Sequence, residues 1–178
     1  PQLLCLRELV VDGVPVSGTT PRNGDFRYGA ETLDADLDML RALCEGLRAL
    51  PTLTSLSLKK CYLGPQALAV LADLIRATAV INSLALGSNP IGDEAMIQLL
   101  DVLKDVSLTS FDISKTNCGV STATKLAELL AEDSKFKAAL EVVNVLGACP
   151  THQLIPTSLH QYVSIRNPCM LVARISKY

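Results

Sequence analysis

The sequence predicts an α/β fold, a solenoid in which short parallel strands alternate with helices. Two observations carry that prediction. The first is a phrase that occurs three times: Leu53-Thr-Ser-Leu56-Ser-Leu58-Lys-Lys-Cys61-Tyr-Leu63-Gly64, Ile81-Asn-Ser-Leu84-Ala-Leu86-Gly-Ser-Asn89-Pro-Ile91-Gly92 and Leu108-Thr-Ser-Phe111-Asp-Ile113-Ser-Lys-Thr116-Asn-Cys118-Gly119. The second is the apolar run at helical spacing after each copy, over 66–77, 93–104 and 121–132. Alternation such as Leu56 and Leu58 turns one side of a short strand inward and leaves the residues between them outward. Laying the next strand alongside in parallel needs a crossover, which the helical run supplies. The phrases begin 28 and 27 residues apart, at Leu53, Ile81 and Leu108. Ala67, Ala95 and Ala123, like Leu74, Val102 and Leu130, recur every 28 residues, so the third unit is expected to hold one extra residue between strand and helix.

The phrase fits L-x-x-L-x-L-x-x-N/C-x-L. With a full helix in each unit, residues 3–148 resemble the ribonuclease-inhibitor-like type of leucine-rich repeat. The resemblance implies a horseshoe of about five repeats, with parallel strands on the concave face and helices on the convex face. It also implies that Asn89 points inward and bonds backbone groups in the turn after its strand. Cys61 fills the same slot in the first copy. Thr116 fills it in the third, a departure from which we expect a looser turn.

Composition limits the functional classes. The chain has 178 residues, enough for one domain with a substantial core. Nearly half are apolar, with no Trp, which suits packing in Leu/Ala layers. A net charge of −2 lacks the positive field of a nucleic-acid binder, and none is expected as a partner. No apolar run reaches the length of a membrane span. No signal peptide opens the chain. Cys5, Cys44, Cys61, Cys118, Cys149 and Cys169 match no zinc spacing and contain no C-x-x-C. Cys61 and Cys118 stand at inward positions of the phrase, and Cys44 lies on a helix stripe. Buried reduced thiols are expected, and with them the cytoplasm or another reducing compartment, the cytoskeleton included.

Taken in order, residues 3–16 read as a degenerate first strand unit through Leu6, Leu9, Val11, Val14 and Val16. No polar capping segment precedes it, and terminal units need a cover. We therefore expect further chain or a partner on that side of Pro1. Residues 17–32 break the rhythm with a loop rich in Gly, Pro and Thr. It is either a contact loop, with Arg22, Phe26, Arg27 and Tyr28 as contact candidates, or a tolerated mobile excursion, the reading we favour.

Residues 33–50 read as a helix through Leu37, Leu40, Cys44 and Leu47. Asp34, Asp36 and Asp38 crowd its first turns, where the dipole favours anions; at that spacing they converge poorly on a metal ion, and none is expected. Pro51 ends the helix. Pro65 suits a helix start, and Ser121 or Thr122 is the expected cap of the helix after 119. Leu140, Val143, Val145 and Ala148 continue the strand phase. Residues 150–178 then read as a β-rich C-terminal cap, or else as the start of a second domain, with β-like runs at 162–166 and 170–175 around Asn167-Pro168. The domain division is thus a solenoid over 1–149, with its insertion at 17–32, and a cap over 150–178.

No catalytic constellation emerges. Gly87-Ser-Asn-Pro lacks the Lys of a phosphate loop. The two histidines, His152 and His160, lie in the tail, and His160 with Cys169 has no orienting third group. No enzymatic activity and no cofactor are expected. Binding is expected on the outward strand positions, which form columns: Glu8, Ser55, Ser83, Ser110, Val142; Val10, Ser57, Ala85, Asp112, Asn144; Asp12, Lys59, Gly87, Ser114, Leu146. The protein-binding candidates are Ser55, Ser57, Lys59, Lys60, Ser110, Asp112, Ser114, Lys115 and Asn144. Val142 and Leu146 are expected to be exposed apolar residues that the tail or a partner covers. The function expected is a non-catalytic protein-interaction or scaffold module within a larger intracellular assembly. The alternatives that the resemblance brings are a regulator of a small GTPase of the activator type and a tropomodulin-like actin-capping domain.

Overall fold

The computed structural model describes residues 5–78, 80–145, 147 and 172–174. Five short strands, β1 (Glu8–Val10), β4 (Ser55–Ser57), β5 (Ser83–Ala85), β6 (Ser110–Asp112) and β7 (Val142–Asn144), form one parallel sheet in that order. β8 (Val172–Arg174) adds to β7 in the antiparallel sense. Between β1 and β4 the chain inserts a separate antiparallel pair, β2 (Thr20–Pro21) and β3 (Ala30–Thr32). The helices α1 (Asp38–Arg48), α2 (Pro65–Ala77), α3 (Asp93–Leu103) and α4 (Val120–Ala131) make the crossovers and pack side by side. A five-residue helix, α5 (Lys135–Ala139), leads into β7.

Register makes the core. Leu9, Leu56, Leu84, Phe111 and Val143 stand opposite one another across the sheet. All but Leu9 are buried, and each fully buried Leu contributes on the order of 2 kcal/mol. Leu58, Leu86 and Ile113 form a second buried row. Phe111 is the one large ring in its row, and Phe136 of α5 meets it edge to face, centroids 6.2 Å apart. α5 was not foreseen, although Ser134 is a legible cap: its hydroxyl accepts from the Lys137 N–H at 3.1 Å.

The helical register departs from expectation in the third unit. Ala67, Leu71, Leu74 and Ile75 of α2 correspond to buried Thr122, Leu126, Leu129 and Leu130 of α4, a shift of 55 residues. α4 therefore follows α3 by 27, Thr122 rather than Ala123 takes the inward place, and no extra residue separates strand from helix. α1 also begins late. Asp34 and Asp36 precede it, and of the three aspartates Asp38 alone is helical.

Each strand exits through a turn with one left-handed residue in the same register: Gly13, Lys60, Ser88, Lys115 and Gly147, with φ between 53° and 79°. The turns continue the ladder, with Gly13 N–H donating to Lys59 O, Lys60 N–H to Gly87 O and Ser88 N–H to Ser114 O. A side chain in this conformation costs about 1 kcal/mol, which the first and last turns avoid with Gly. Tyr62 and Asn117 are left-handed two residues further on. Pro90, with its fixed negative φ, cannot follow, and Gly92 turns left-handed instead.

Asn89 is fully buried and fastens two turns at once. Its Oδ1 accepts from the N–H groups of Cys61 and Leu63 (2.9 and 3.1 Å), and its Nδ2 donates to the carbonyls of Leu58 and Leu86 (2.7 Å each). Cys61 donates its thiol to Val11 O at 3.1 Å, reaching back one unit in the same way. The turn at Thr116 is not loose. Its hydroxyl donates to Ile113 O at 2.7 Å, and its own carbonyl accepts from the Ile91 and Gly92 N–H groups. The backbone there does what the amide of Asn89 does one unit earlier.

Three substitutions test the turns. Asn89→Ala leaves four buried backbone groups unmatched and is expected to lower unfolding free energy by about 3 kcal/mol or more, read from a urea midpoint shift at unchanged m-value. Gly13 has open space around its Cβ position but φ of +79°, so Gly13→Ala is expected to cost about 1 kcal/mol through backbone conformation alone. Lys115→Gly should be neutral or stabilising in the same assay.

Candidate functional site

The outward columns of the sheet assemble as the register dictates. Ser55, Ser83, Ser110 and Val142 lie opposite one another, as do Ser57, Ala85, Asp112 and Asn144. All are half-buried, Val142 included, so it is less open than expected. Leu146 lies outside the described residues. Lys59 and Lys60 occupy the turn after β4, and Ser114 and Lys115 the turn after β6.

An ion pair crosses this face. Lys59 Nζ reaches Asp112 Oδ2 at 2.7 Å, spanning β5. The small residues of the middle strand make the span possible. A Cβ on Gly87 would meet Ser114 Oγ at 2.7 Å and the Asp112 carboxylate at 3.3–3.4 Å. Asp112 Oδ1 accepts from the Ser114 N–H at 3.0 Å. Asp12 mirrors it on the first turn, accepting from the Ser57 hydroxyl (2.6 Å) and the Lys59 N–H (2.8 Å). Desolvation pushes the Asp112 carboxyl up, but hydrogen bonds from Lys59 and Ser114, with the Lys59 charge, hold it below its ordinary value.

The sequence alone did not reveal the carboxylates that hold the helix starts. Asp34 is buried, and it accepts from the N–H groups of Gly64 (2.9 Å), Gln66 (2.9 Å) and Ala67 (3.0 Å) at the N-terminus of α2. Asp93 does the same for α4, accepting from the Gly119 N–H (2.6 Å), the Thr122 N–H (3.1 Å) and the Thr122 hydroxyl (2.5 Å). Thr122 is therefore a donor to the cap, and neither it nor Ser121 is the cap itself. Side chains at Gly64 or Gly119 would collide with these carboxylates, whereas Gly92 has nothing above it, because α2 opens on Pro65 and Gln66. The available signal was the Gly at each helix start, since uncapped N–H groups need acceptors from elsewhere. Desolvation pushes Asp93 up, and the bonds from Thr122 and Gly119 outweigh it, leaving the carboxyl lowered.

The insertion makes contacts with the turn after β4. Ser17 and Thr19 are buried, and the Thr19 hydroxyl donates to Tyr62 O at 2.9 Å. Phe26 stacks on Tyr62 with centroids 4.1 Å apart. Its ring is thus engaged within the chain. Arg27 is exposed and pairs with Asp25 at 2.6 Å. Arg22 is exposed in the first 3-10 turn, Arg22–Gly24, and Tyr28 closes the second, Phe26–Tyr28.

Other features are less directed. A cleft of about 740 Å³ opens on the helix side around Ile75, Gln98 and Val102, its rim mixing Arg76, Lys104 and Lys135 with Asp101 and Asp105. Cys44, Cys61 and Cys118 are buried free thiols and Cys5 an exposed one. Burial pushes the Cys44 thiol up to about 11 and raises Cys61 and Cys118. No helix among the described residues is long and apolar enough to cross a membrane, and no group of three His, Cys, Asp or Glu there is placed to hold a metal. Cys149, Cys169, both histidines and all but three residues of the 150–178 segment lie outside the described residues.

Two measurements test this geometry. Asp93 and Asp112 titrate lower folded than unfolded, so their stabilisation is complete above the ordinary carboxylate value of about 3.9 and drains away as pH falls through the lower folded value. Asp93→Asn and Asp112→Asn chains are expected to lose less stability than the parent in urea melts run from about pH 5 to 2. In native alkylation with peptide mapping, Cys5 should label at once, and Cys44, Cys61 and Cys118 only on unfolding.

No protein-family model and no curated protein matches the sequence. Among solved structures, the chain is similar to the tropomodulin C-terminal domain of Caenorhabditis elegans, with a TM-score of 0.58 and 14% identity over 79% of this chain and 73% of that one. The likeness is one of fold: a leucine-rich-repeat-like α/β arrangement around a parallel sheet.

Proposed function

We propose that the chain is a non-catalytic protein-interaction module, a leucine-rich-repeat solenoid of the ribonuclease-inhibitor-like type whose strands line a concave binding face. The observation that carries this reading is the outward strand face itself. Its serines, Ala85 and Gly87 leave room for a partner's backbone, and the Lys59–Asp112 pair gives the centre a fixed polarity. Electrostatic complementarity of this kind selects partners and sets register. The likeness to a tropomodulin domain supports a role in binding protein, and favours tropomodulin-like actin capping as the second reading. An intracellular, cytoplasmic assembly is the setting we propose, with buried thiols in support.

The experiment is affinity capture and cross-linking with the parent chain and a Lys59→Glu/Asp112→Lys double variant, which keeps an ion pair over β5 and reverses its polarity. A stoichiometric partner that binds the parent and not the variant, with the variant's unfolding free energy within about 0.5 kcal/mol of the parent's, supports the reading. A partner retained by the variant moves the interface to the helices or the insertion. Absence of any partner counts against a binding module. Co-sedimentation with filamentous actin, run in parallel, decides the second reading.

A further inference from the structure

We propose that Asn23, in the inserted loop, is a site of spontaneous covalent modification. Its side-chain amide is captured by the Gly24 backbone nitrogen and converted, without an enzyme, to a mixture of aspartate and isoaspartate.

The chemistry needs few parts. The Gly24 nitrogen attacks Asn23 Cγ and gives up its proton, the side-chain nitrogen leaves as ammonia, and a five-membered succinimide remains. Water then opens the ring. Breaking the new Cγ–N bond yields aspartate. Breaking the original peptide C–N bond yields isoaspartate, whose main chain runs through Cβ and Cγ and is one carbon longer. A side chain on the following residue hinders the attack, and Gly also frees the backbone to rotate into it. Of the chain's asparagines, Asn23 alone precedes a Gly.

The structure leaves this pair open and holds the comparable ones. Asn23 and Gly24 are exposed and both left-handed, φ 51° and 73°, within the 3-10 turn Arg22–Gly24. The Asn23 amide has no hydrogen-bond partner among the described residues. A Cβ at Gly24 would meet nothing within 4 Å. The turn buries no side chain, and the bond that closes it, Asp25 N–H to Arg22 O, is 3.1 Å long. So short and exposed a turn opens locally at small cost, which lets the nitrogen reach Cγ. Asp12-Gly13, the one other Asp or Asn before a Gly, is held instead. Its carboxylate accepts from the Ser57 hydroxyl and the Lys59 N–H, and the Gly13 N–H donates to Lys59 O at 2.8 Å. After Asn82, the Ser83 N–H donates to Thr54 O at 3.0 Å. Asn89 precedes Pro90, which has no N–H to lose, and Asn117 precedes buried Cys118.

The change would reset the insertion and spare the solenoid. Residues 17–32 carry Arg22 and Arg27 against Asp25 and Glu31, a balance of zero that one new carboxylate makes −1. The extra carbon of isoaspartate falls beside the Arg22 N–H to Gly29 O bond (2.9 Å) that joins the ends of the loop.

Ageing the full chain in mildly alkaline buffer tests this, with peptide mapping by mass spectrometry and isoaspartyl methyltransferase labelling as readouts. In the folded chain the peptide holding Asn23 should shift by the mass difference between Asn and Asp and accept the methyl label, while the other asparagines stay unchanged. Asn23→Gln should give neither signal. Asp12→Asn places the same dipeptide in the held turn, and it should convert about tenfold or more slowly than Asn23 in the folded chain. In urea the two should convert alike. If Asp12→Asn does not fold, Ser83→Gly makes the same comparison at Asn82. Asn23 intact in the folded chain while it converts in urea, equal conversion at the held and open pairs in the folded chain, or label persisting in Asn23→Gln would each overturn the proposal.

Discussion

The buried backbone of the strand-exit turns must be satisfied, and most of this structure is arranged around that demand. Each chain reversal between strand and helix takes N–H and C=O groups into the interior, where an unmatched group costs far more than a made bond returns. Asn89 meets the demand for two turns with one side chain. Cys61 meets part of it with a thiol, and Thr116 with its main chain. The three solutions differ chemically and occupy one geometric slot. The turns, once closed, fix the strands in register and the helices in line.

Helix starts pose the same problem, and here the chain borrows across units. α2 and α4 begin on Gly64 and Gly119, residues with no side chain to cap a helix. Asp34 and Asp93 reach over from the preceding unit to supply the acceptor. The Gly residues are required by the carboxylates above them, and the carboxylates by the bare N–H groups below. This coupling ties the insertion to the sheet domain, because Asp34 stands at its end and its N–H is held by Thr19. The insertion is thereby a brace against Tyr62 and the start of α2.

The outward face of the sheet follows from the inner one. Strands short enough to alternate once leave few outward side chains each, and those of β4, β5 and β6 are Ser, Ala and Asp. Gly87 is what allows Lys59 and Asp112 to meet across β5. Lys60 and Lys115 are exposed in the turns after β4 and β6, at positions that the left-handed backbone sets.

The periodic leucines by themselves determined the parallel strands, their pairing order and the side each residue faces, because a two-residue alternation and a fixed unit length leave one consistent register. They also determined that Ser57, Lys59, Asp112 and Ser114 share a face. The tertiary structure decided what lies outside that periodicity. Asp34 reads as a helical residue until α2 is placed beside it, and Asp93 reads as an ordinary first-turn acid until Gly119 lies below it. The 27-residue step of α4 was hidden because Thr122 is polar in sequence, yet buried once its hydroxyl finds Asp93. Phe26 and Tyr62 stack although 36 residues apart in a stretch with no period to relate them. Local pattern fixes what each residue can offer, and only the folded chain brings a distant acceptor to the groups that need it.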